Sequence, residues 1–163
     1  MSIMTFDTGN TIMTKRFTVL SIEDNKADFT FLKKALNKIP DIELNLINID
    51  NGQNALDFLY KKGEYISAPT PNIIILDINL PSINGKEILR DLKKHKLYKT
   101  IPIIIFTTSS DQEDIKEMYN LHANSYITKT FNIKELYEKI GIMGKYWFKT
   151  NKLPDNNNFC SEQ

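Results

Sequence analysis

The sequence predicts an α/β domain in which five helices cover the two faces of a five-stranded parallel sheet. Two observations lead to this prediction. Short apolar runs alternate with amphipathic stretches along the chain. The runs at residues 73–76 and 103–106 contain only Ile, Leu and Phe, as is typical of strands buried on both faces of a parallel sheet.

The strands are predicted from short runs rich in apolar and β-branched residues. In chain order they are residues 18–22, 44–49, 73–76, 103–106 and 125–128. The helices are predicted from apolar residues that recur at spacings of three and four between these runs. They cover residues 28–39, 54–62, 87–95, 111–121 and 132–148. Strand and helix therefore alternate five times, which favours a doubly wound sheet.

The last predicted helix carries more apolar residues than one inward face can hold. The stripe expected to face the core consists of Ile133, Leu136, Tyr137, Ile140 and Trp147, and the residues left outside it are Ile142, Met143, Tyr146 and Phe148. A second apolar surface of this kind predicts a homodimer through this helix and the face of the last strand. The alternative is that the helix breaks near Gly141 or Gly144 and its aromatic residues fold back onto the domain.

Composition limits the partners and the compartment. Lys and Arg total 21 and Asp and Glu total 20, so a net charge of +1 gives no general attraction to nucleic acid or to a membrane surface. No apolar run is long enough to span a membrane, and the lone Cys160 cannot form an internal disulfide. We expect a cytoplasmic protein with a disordered leader (1–15), one folded domain (16–150) and a disordered polar tail (151–163).

Polar residues at the ends of four strands indicate a site. Glu23 and Asp24 follow the first strand, Asp77 the third, Thr107 the fourth and Lys129 the fifth. Each has an ordinary structural explanation when taken alone, such as a helix cap or a solvated side chain. Together they fall at the one edge of a doubly wound sheet where ligands bind. The set therefore predicts chemistry at that edge.

Three carboxylates at one edge repel each other, so a hard divalent cation is implied, and Mg²⁺ prefers oxygen ligands. Asp24 and Asp77 would bind it directly, Glu23 through water, and the backbone carbonyl of Asn79 would add another oxygen. A carboxylate can then attack a phosphorus atom whose oxygens are held by Mg²⁺ and Lys129.

These residues give the chain a resemblance to the response-regulator receiver domain. The matching segments are residues 19–25, 77–81 with Gly85, 107–109 and 126–129. Thr107 and Lys129 also stand 30 and 52 residues after Asp77, as in that family. The resemblance covers about residues 16–140 and implies a flavodoxin-like sheet with strand order 2-1-3-4-5.

The resemblance implies a role for each residue. Asp77 accepts a phosphoryl group from a sensor histidine kinase or a phosphotransfer protein. Thr107, which bonds the phosphoryl group, and Tyr126 form the coupled switch, while Asn79 and Ser109 tune the lifetime of the acyl phosphate. Because only a polar tail follows the last helix, we expect signalling by protein contacts. We expect no enzymatic activity beyond self-catalysed phosphoryl transfer and slow autodephosphorylation.

A narrower resemblance concerns residues 63–69, 107–110, 125–129 and 146–148. These segments are similar to the small stand-alone regulators that partner bacterial and cyanobacterial phytochromes. A light-sensing kinase is therefore the implied partner.

Two positions depart from the receiver pattern. Thr130 follows Lys129 where receivers usually have Pro, and His122 stands where they usually have Gly. We therefore expect Asn120 or His122 to adopt a positive φ.

Three other functions fit parts of the sequence. A receiver-like module that binds partners without phosphorylation would have the same fold. A phosphatase of the haloacid-dehalogenase type would need a second carboxylate where Asn79 stands. A flavodoxin-type FMN protein would need a Gly-rich phosphate loop after the first strand, where the chain instead has Glu23 and Asp24.

Overall fold

A computed structural model describes residues 14–154 as one parallel sheet with helices on both faces. The strands are β1 (Lys15–Ile22), β2 (Ile42–Ile49), β3 (Ile73–Leu76), β4 (Ile103–Thr107) and β5 (Ser125–Thr128). The helices are α1 (Lys26–Leu36), α2 (Gly52–Leu59), α3 (Gly85–Lys94), α4 (Gln112–Asn120) and α5 (Ile133–Lys145). The strand order is β2-β1-β3-β4-β5 and all pairs are parallel. The predicted flavodoxin-like, doubly wound fold is thus confirmed.

The two faces of the sheet have separate cores because side chains alternate along each strand. On β3, Ile73 and Ile75 pack with α1 and α5, whereas Ile74 and Leu76 pack with α2, α3 and α4. All four are buried, and each such side chain stabilises the fold by about 1.5–3 kcal/mol. This two-sided burial explains why β3 and β4 read as unbroken apolar runs.

Each of the five helices α1 to α5 begins with a side-chain cap. The capping residues are Asn25, Asn51, Asn84, Asp111 and Asn132, each of which accepts a hydrogen bond from a backbone N–H of the first turn. Such caps fix where helices start. Helices α1, α2 and α3 begin two residues before their predicted starts. The prediction began each helix too late because its first residues lie outside the repeating apolar pattern.

The C-terminal helix differs from its predicted inward face. Leu136, Ile140 and Trp147 are buried as expected, but Ile133 is exposed, whereas Met143 and Phe148 are buried. Met143 belongs to the inward stripe because it lies three residues after Ile140 and four before Trp147. The helix does not break at either glycine, and α5 passes into a single π-helical turn, Tyr146–Thr150. This turn places two consecutive aromatic residues in the core, and the ring of Phe148 lies 5.2 Å from that of Phe17.

The domain is slightly longer than predicted at both ends. Lys15, assigned to the leader, is the first residue of β1. Leu153, assigned to the tail, packs against the α1–α5 core. The remaining predictions for the leader and tail fall on residues 1–13 and 155–163, outside the described residues.

The described part of the chain also bears on three other features considered in the sequence. His122 has a φ of 67°, as predicted for a left-handed residue in this segment. No peptide bond between residues 14 and 154 is cis, including the one between Lys129 and Thr130. No helix in the same range is both long and apolar enough to cross a membrane.

Gly85, the first residue of α3, lies in direct contact with the backbone at the end of β3. A Cβ atom at Gly85 would lie 2.2 Å from the backbone oxygen of Asp77 and 2.8 Å from Cα of Ile78. The Gly85 N–H also donates to the Ile78 carbonyl at 3.0 Å. Only glycine lets α3 start this close to the strand end.

We therefore predict that Gly85→Ala lowers the free energy of unfolding by about 1–3 kcal/mol, the usual cost of overpacking. Urea denaturation would measure it. Gly141→Ala is the matched control, because a Cβ at Gly141 meets nothing within 4 Å. Since Gly141 lies inside α5, that change should instead stabilise the protein by up to about 1 kcal/mol. Equal stability of the two variants would contradict the argument.

Candidate functional site

The site is at the carboxyl edge of the sheet, and the sheet itself holds its residues. The backbone N–H groups of Glu23, Asp77 and Lys129 donate to the neighbouring strands, at Ile49, Ile22 and Thr107 respectively, over 2.7–3.1 Å. The first residue beyond each of these strands is therefore still paired with the next strand. These three side chains start from the rigid sheet and not from a mobile loop.

Lys129 brings the acidic side chains together. Its ammonium Nζ lies 2.5 Å from Oε2 of Glu23, 2.8 Å from Oδ2 of Asp28 and 2.8 Å from Oδ2 of Asp77. Its side chain is only 5% exposed. Burial alone would lower the pKa of Lys129, but the hydrogen bonds with the three carboxylates outweigh burial and raise it above 10.5. Lys129 therefore stays protonated and carries a positive charge at neutral pH.

Glu23 is held from both sides. Its Oε1 accepts the backbone N–H of Asn25 at 3.0 Å, while Oε2 accepts from Lys129. The Asn48 side-chain amide donates to the Glu23 carbonyl at 3.1 Å. Burial raises the pKa of Glu23 to about 7, against the opposing effect of Lys129. The Glu23 carboxyl group is thus held in place by hydrogen bonds and has little contact with water.

Asp77 is buried at the end of β3. Its Oδ1 accepts the backbone N–H of Asn79 at 3.0 Å, and its Oδ2 accepts from Lys129 at 2.8 Å. The carboxylate is therefore oriented by one donor on each oxygen. A nucleophile held in this way loses little freedom when it reacts.

The predicted metal ligands lie close to one another. Oxygen atoms of Glu23, Asp24 and Asp77 all lie within 4.8 Å of each other. Asp24 is exposed, whereas Glu23 and Asp77 are buried. A group of hard carboxylate oxygens, open to solvent on one side, fits a divalent cation that keeps part of its water shell.

The predicted switch residues flank this centre. Thr107 is fully buried, and its Oγ1 accepts the N–H of Ser109 at 3.4 Å. The hydroxyl of Tyr126 donates to the Ser109 carbonyl at 3.0 Å, so the half-buried ring already touches the β4–α4 loop. The Ser109 hydroxyl itself donates to Asp114 on α4 at 2.6 Å. The expected movements of Thr107 and Tyr126, and the lifetime roles of Asn79 and Ser109, stay predictions.

Two residues at the site were not predicted from the sequence. Asp28 contacts Lys129, and Asn48 supports Glu23 through its backbone. A signal for Asp28 existed, because it lies four residues after Asp24 in the sequence and in the first turn of the helix that starts at this edge. Asn48 has no comparable signal, since its contact depends on the register between β1 and β2.

Comparison with known proteins agrees with this geometry. Residues 19–141 match the family described as response regulator receiver domain. The chain is 38% identical over 136 residues to the response regulator Rcp1 of Synechocystis sp., which covers 83% of this chain and 92% of Rcp1. The chain therefore belongs to the response regulator receiver family, a class of two-component signalling proteins.

Solved structures of the same type are similar in shape. The phosphorylated cyanobacterial phytochrome response regulator RcpA superposes with a TM-score of 0.82 at 34% identity, covering 86% of this chain and 99% of RcpA. The Mn²⁺-bound form of Rcp1 also gives 0.82, at 37% identity, covering 85% and 99%. The bacteriophytochrome response regulator RtBRR gives 0.67 at 28% identity, covering 86% and 85%. The chain is thus similar to receivers associated with phytochromes, and its acidic cluster suits a divalent metal.

We predict that metal affinity depends more on Asp24 than on Glu23. Asp24 is exposed and short enough for direct ligation, whereas both oxygens of Glu23 already accept hydrogen bonds. Asp24→Asn should weaken Mg²⁺ binding by more than about tenfold, since removal of even an outer partner of a metal ligand costs that much.

The matched variant is Glu23→Gln, which keeps one acceptor oxygen of the two that bond Asn25 and Lys129. It should weaken binding less than Asp24→Asn. Isothermal titration of Mg²⁺ into the unphosphorylated protein would measure both. The opposite order of affinities would refute the assigned roles.

Proposed function

We propose that this receiver accepts a phosphoryl group on Asp77 from a histidine kinase or phosphotransfer protein, with Mg²⁺ as its cofactor, in the cytoplasm. The main supporting observation is the contact between the buried Asp77 carboxylate and Lys129 at 2.8 Å, beside the acidic pair. The carboxylate is held in a fixed orientation at the edge of the sheet where ligands bind, and the positive charge that a phosphoryl group requires is next to it.

The reaction is an in-line transfer to a carboxylate. An oxygen of Asp77 forms a bond to phosphorus, and the P–N bond of the donor phosphohistidine breaks, with its electron pair leaving on the imidazole. The product is an acyl phosphate on Asp77. Lys129 then pairs with a phosphoryl oxygen. Mg²⁺, held by Glu23, Asp24 and Asp77, would supply the remaining positive charge that phosphoryl transfer needs.

The phosphoryl group would act on the switch residues. It adds about −1.5 to −2 charge at neutral pH, and the nearest buried hydroxyl on β4 is that of Thr107. As Thr107 moves toward the phosphoryl oxygens, the β4–α4 loop moves with it, because the Ser109 N–H is bonded to its Oγ1. Tyr126, bonded to the Ser109 carbonyl, would follow.

We infer that the donor is a protein that can cover an apolar rim of the site. Phe131, two residues after Lys129, is fully exposed, and Ile133 is about half exposed. The similarity to phytochrome-associated regulators makes a phytochrome-type kinase the favoured donor. We propose neither a nucleic-acid ligand nor an enzymatic activity on other molecules for this protein.

We predict that acetyl phosphate with Mg²⁺ labels the wild-type protein at one site and does not label Asp77→Asn. Intact-mass analysis would detect the addition of one phosphoryl group. The control is Asp57→Asn, which removes a carboxylate of α2 that bonds Gln53 and should be labelled like the wild type. Full labelling of Asp77→Asn would disprove the assignment and would favour a receiver-like module that works without this phosphorylation.

We further propose that signalling involves a homodimer through the face formed by α4, β5 and α5. This face carries the exposed side chains of Tyr119, Ile142 and Tyr146 around a groove that Tyr126 also lines. Apolar patches of this kind usually mark protein contacts. Because Tyr126 is a proposed switch residue, phosphorylation should strengthen the contact.

We predict that beryllofluoride with Mg²⁺ shifts the wild-type protein toward dimers in light scattering. Ile142→Glu should stay monomeric, because it places a charge in the centre of the contact. Ile66→Glu is the control, since Ile66 is equally exposed but follows α2, outside this face. A wild-type monomer at high concentration, with and without beryllofluoride, would rule the dimer out.

A further inference from the structure

The ammonium of Lys129 uses its whole donor capacity on three carboxylates. A lysine ammonium has three N–H donors, and Glu23, Asp28 and Asp77 each accept one. The roles of the three acceptors differ. Glu23 and Asp77 belong to the oxygen cluster that suits a divalent cation, whereas Asp28 does not.

This difference matters during phosphoryl transfer. Asp77 loses its free carboxylate when it becomes an acyl phosphate, and Glu23 would share its carboxylate with a bound cation. Two of the three partners of Lys129 therefore change, and only Asp28 is left as before. Without Asp28, the long lysine side chain would lose the one contact that is the same before and after transfer, and it would regain part of its rotamer freedom.

We propose that Asp28 is a positioning residue that holds the Lys129 ammonium beside Asp77 throughout the transfer. This inference rests on the proposed role of Asp77 as phosphoacceptor. Asp28 touches neither the cation cluster nor Asp77 in the described contacts, so it acts through Lys129.

The local structure makes Asp28 suitable for this task. It lies in the first turn of α1, whose N-terminal cap is Asn25. The Asn25 side-chain oxygen accepts the N–H of Asp28 at 3.3 Å, and the Asn25 N–H donates to Glu23 at 3.0 Å. One short segment therefore fixes two of the three acceptors relative to each other. The Asp28 side chain is 25% exposed, compared with 5% for Lys129, so it closes the solvent side of the ammonium.

The ordinary explanation for Asp28 is that an acidic residue in the first helical turn favours the helix dipole. Glu113, in the first turn of α4, occupies the same kind of position. It is not among the residues that contact Lys129. Glu113→Gln therefore removes the same dipole interaction without touching the ammonium, which makes it a matched control for Asp28→Asn.

The test measures phosphorylation of the full chain by acetyl phosphate at saturating Mg²⁺, with the maximal rate and the Mg²⁺ Kd determined separately. We expect Asp28→Asn to lower the maximal rate about tenfold, because a neutral amide oxygen replaces the charged acceptor and makes a weaker hydrogen bond to the ammonium. The Mg²⁺ Kd should stay within about threefold. Asp28→Glu should recover part of the rate, and Glu113→Gln should match the wild type.

A second readout follows the ammonium directly. In the beryllofluoride form, the ¹⁵N signal of Lys129 should be detectable by NMR in the wild type and in Asp28→Glu. It should be lost by fast proton exchange in Asp28→Asn.

Three results would overturn the inference. The first is a wild-type rate in Asp28→Asn, and the second is a loss of Mg²⁺ affinity that accounts for the slower rate. The third is unfolding of both Asp28 variants, which would assign Asp28 to the fold alone. An unlabelled wild-type protein would instead refute the proposed function, so the two failures are distinguishable.

Discussion

The buried ammonium of Lys129 is the interaction on which the rest of the site depends. Its side chain is 5% exposed and is surrounded by carboxylates of Glu23, Asp28 and Asp77. An isolated buried charge costs several kcal/mol, and removing one partner of a buried pair usually costs about 3–5 kcal/mol. Neither the lysine nor the acids could therefore be buried alone. The elements that carry these four residues therefore have to meet at one edge of the sheet, namely β1, α1, β3 and β5. The buried charges are stable only when they neutralise one another.

The parallel sheet supplies the accuracy that this charge balance needs. Lys129 and Glu23 are 106 residues apart in the chain, yet each extends the hydrogen-bonding pattern of its own strand by one residue. A catalytic group that starts from a strand is held more accurately than one on a free loop. The same logic explains Gly85, whose missing side chain lets α3 begin against the backbone of Asp77. Packing at the strand end thus sets the position of Asp77, the proposed phosphoacceptor.

The sequence predicted those features that a local pattern encodes. Burial on both faces of the sheet predicted strands β3 and β4. The rule that ligands bind at the carboxyl edge of a parallel sheet predicted the acidic, hydroxyl and lysine residues at the strand ends. Asp28 was missed because its contact with Lys129 spans 101 residues and the cap, not the apolar period, defines the start of α1. The inward face of α5 was partly wrong for two reasons: Met143 was left out of a stripe that its helical spacing already fits, and the π-helical turn after Lys145 brings Phe148 into the core beside Trp147. No local pattern predicts such a turn.

The route from the site to the surface is short because one residue, Ser109, belongs to both. Its N–H is bonded to Thr107, its carbonyl to Tyr126 and its hydroxyl to Asp114 on α4. Asp114 in turn pairs with Lys86 of α3 at 2.8 Å. Only residues 108–110 separate the end of β4 from the cap of α4, and Ser109 lies in the middle of this short loop. Hydrogen bonds of a single loop thus connect Thr107, beside the proposed phosphoacceptor Asp77, with the groove that Tyr126 lines.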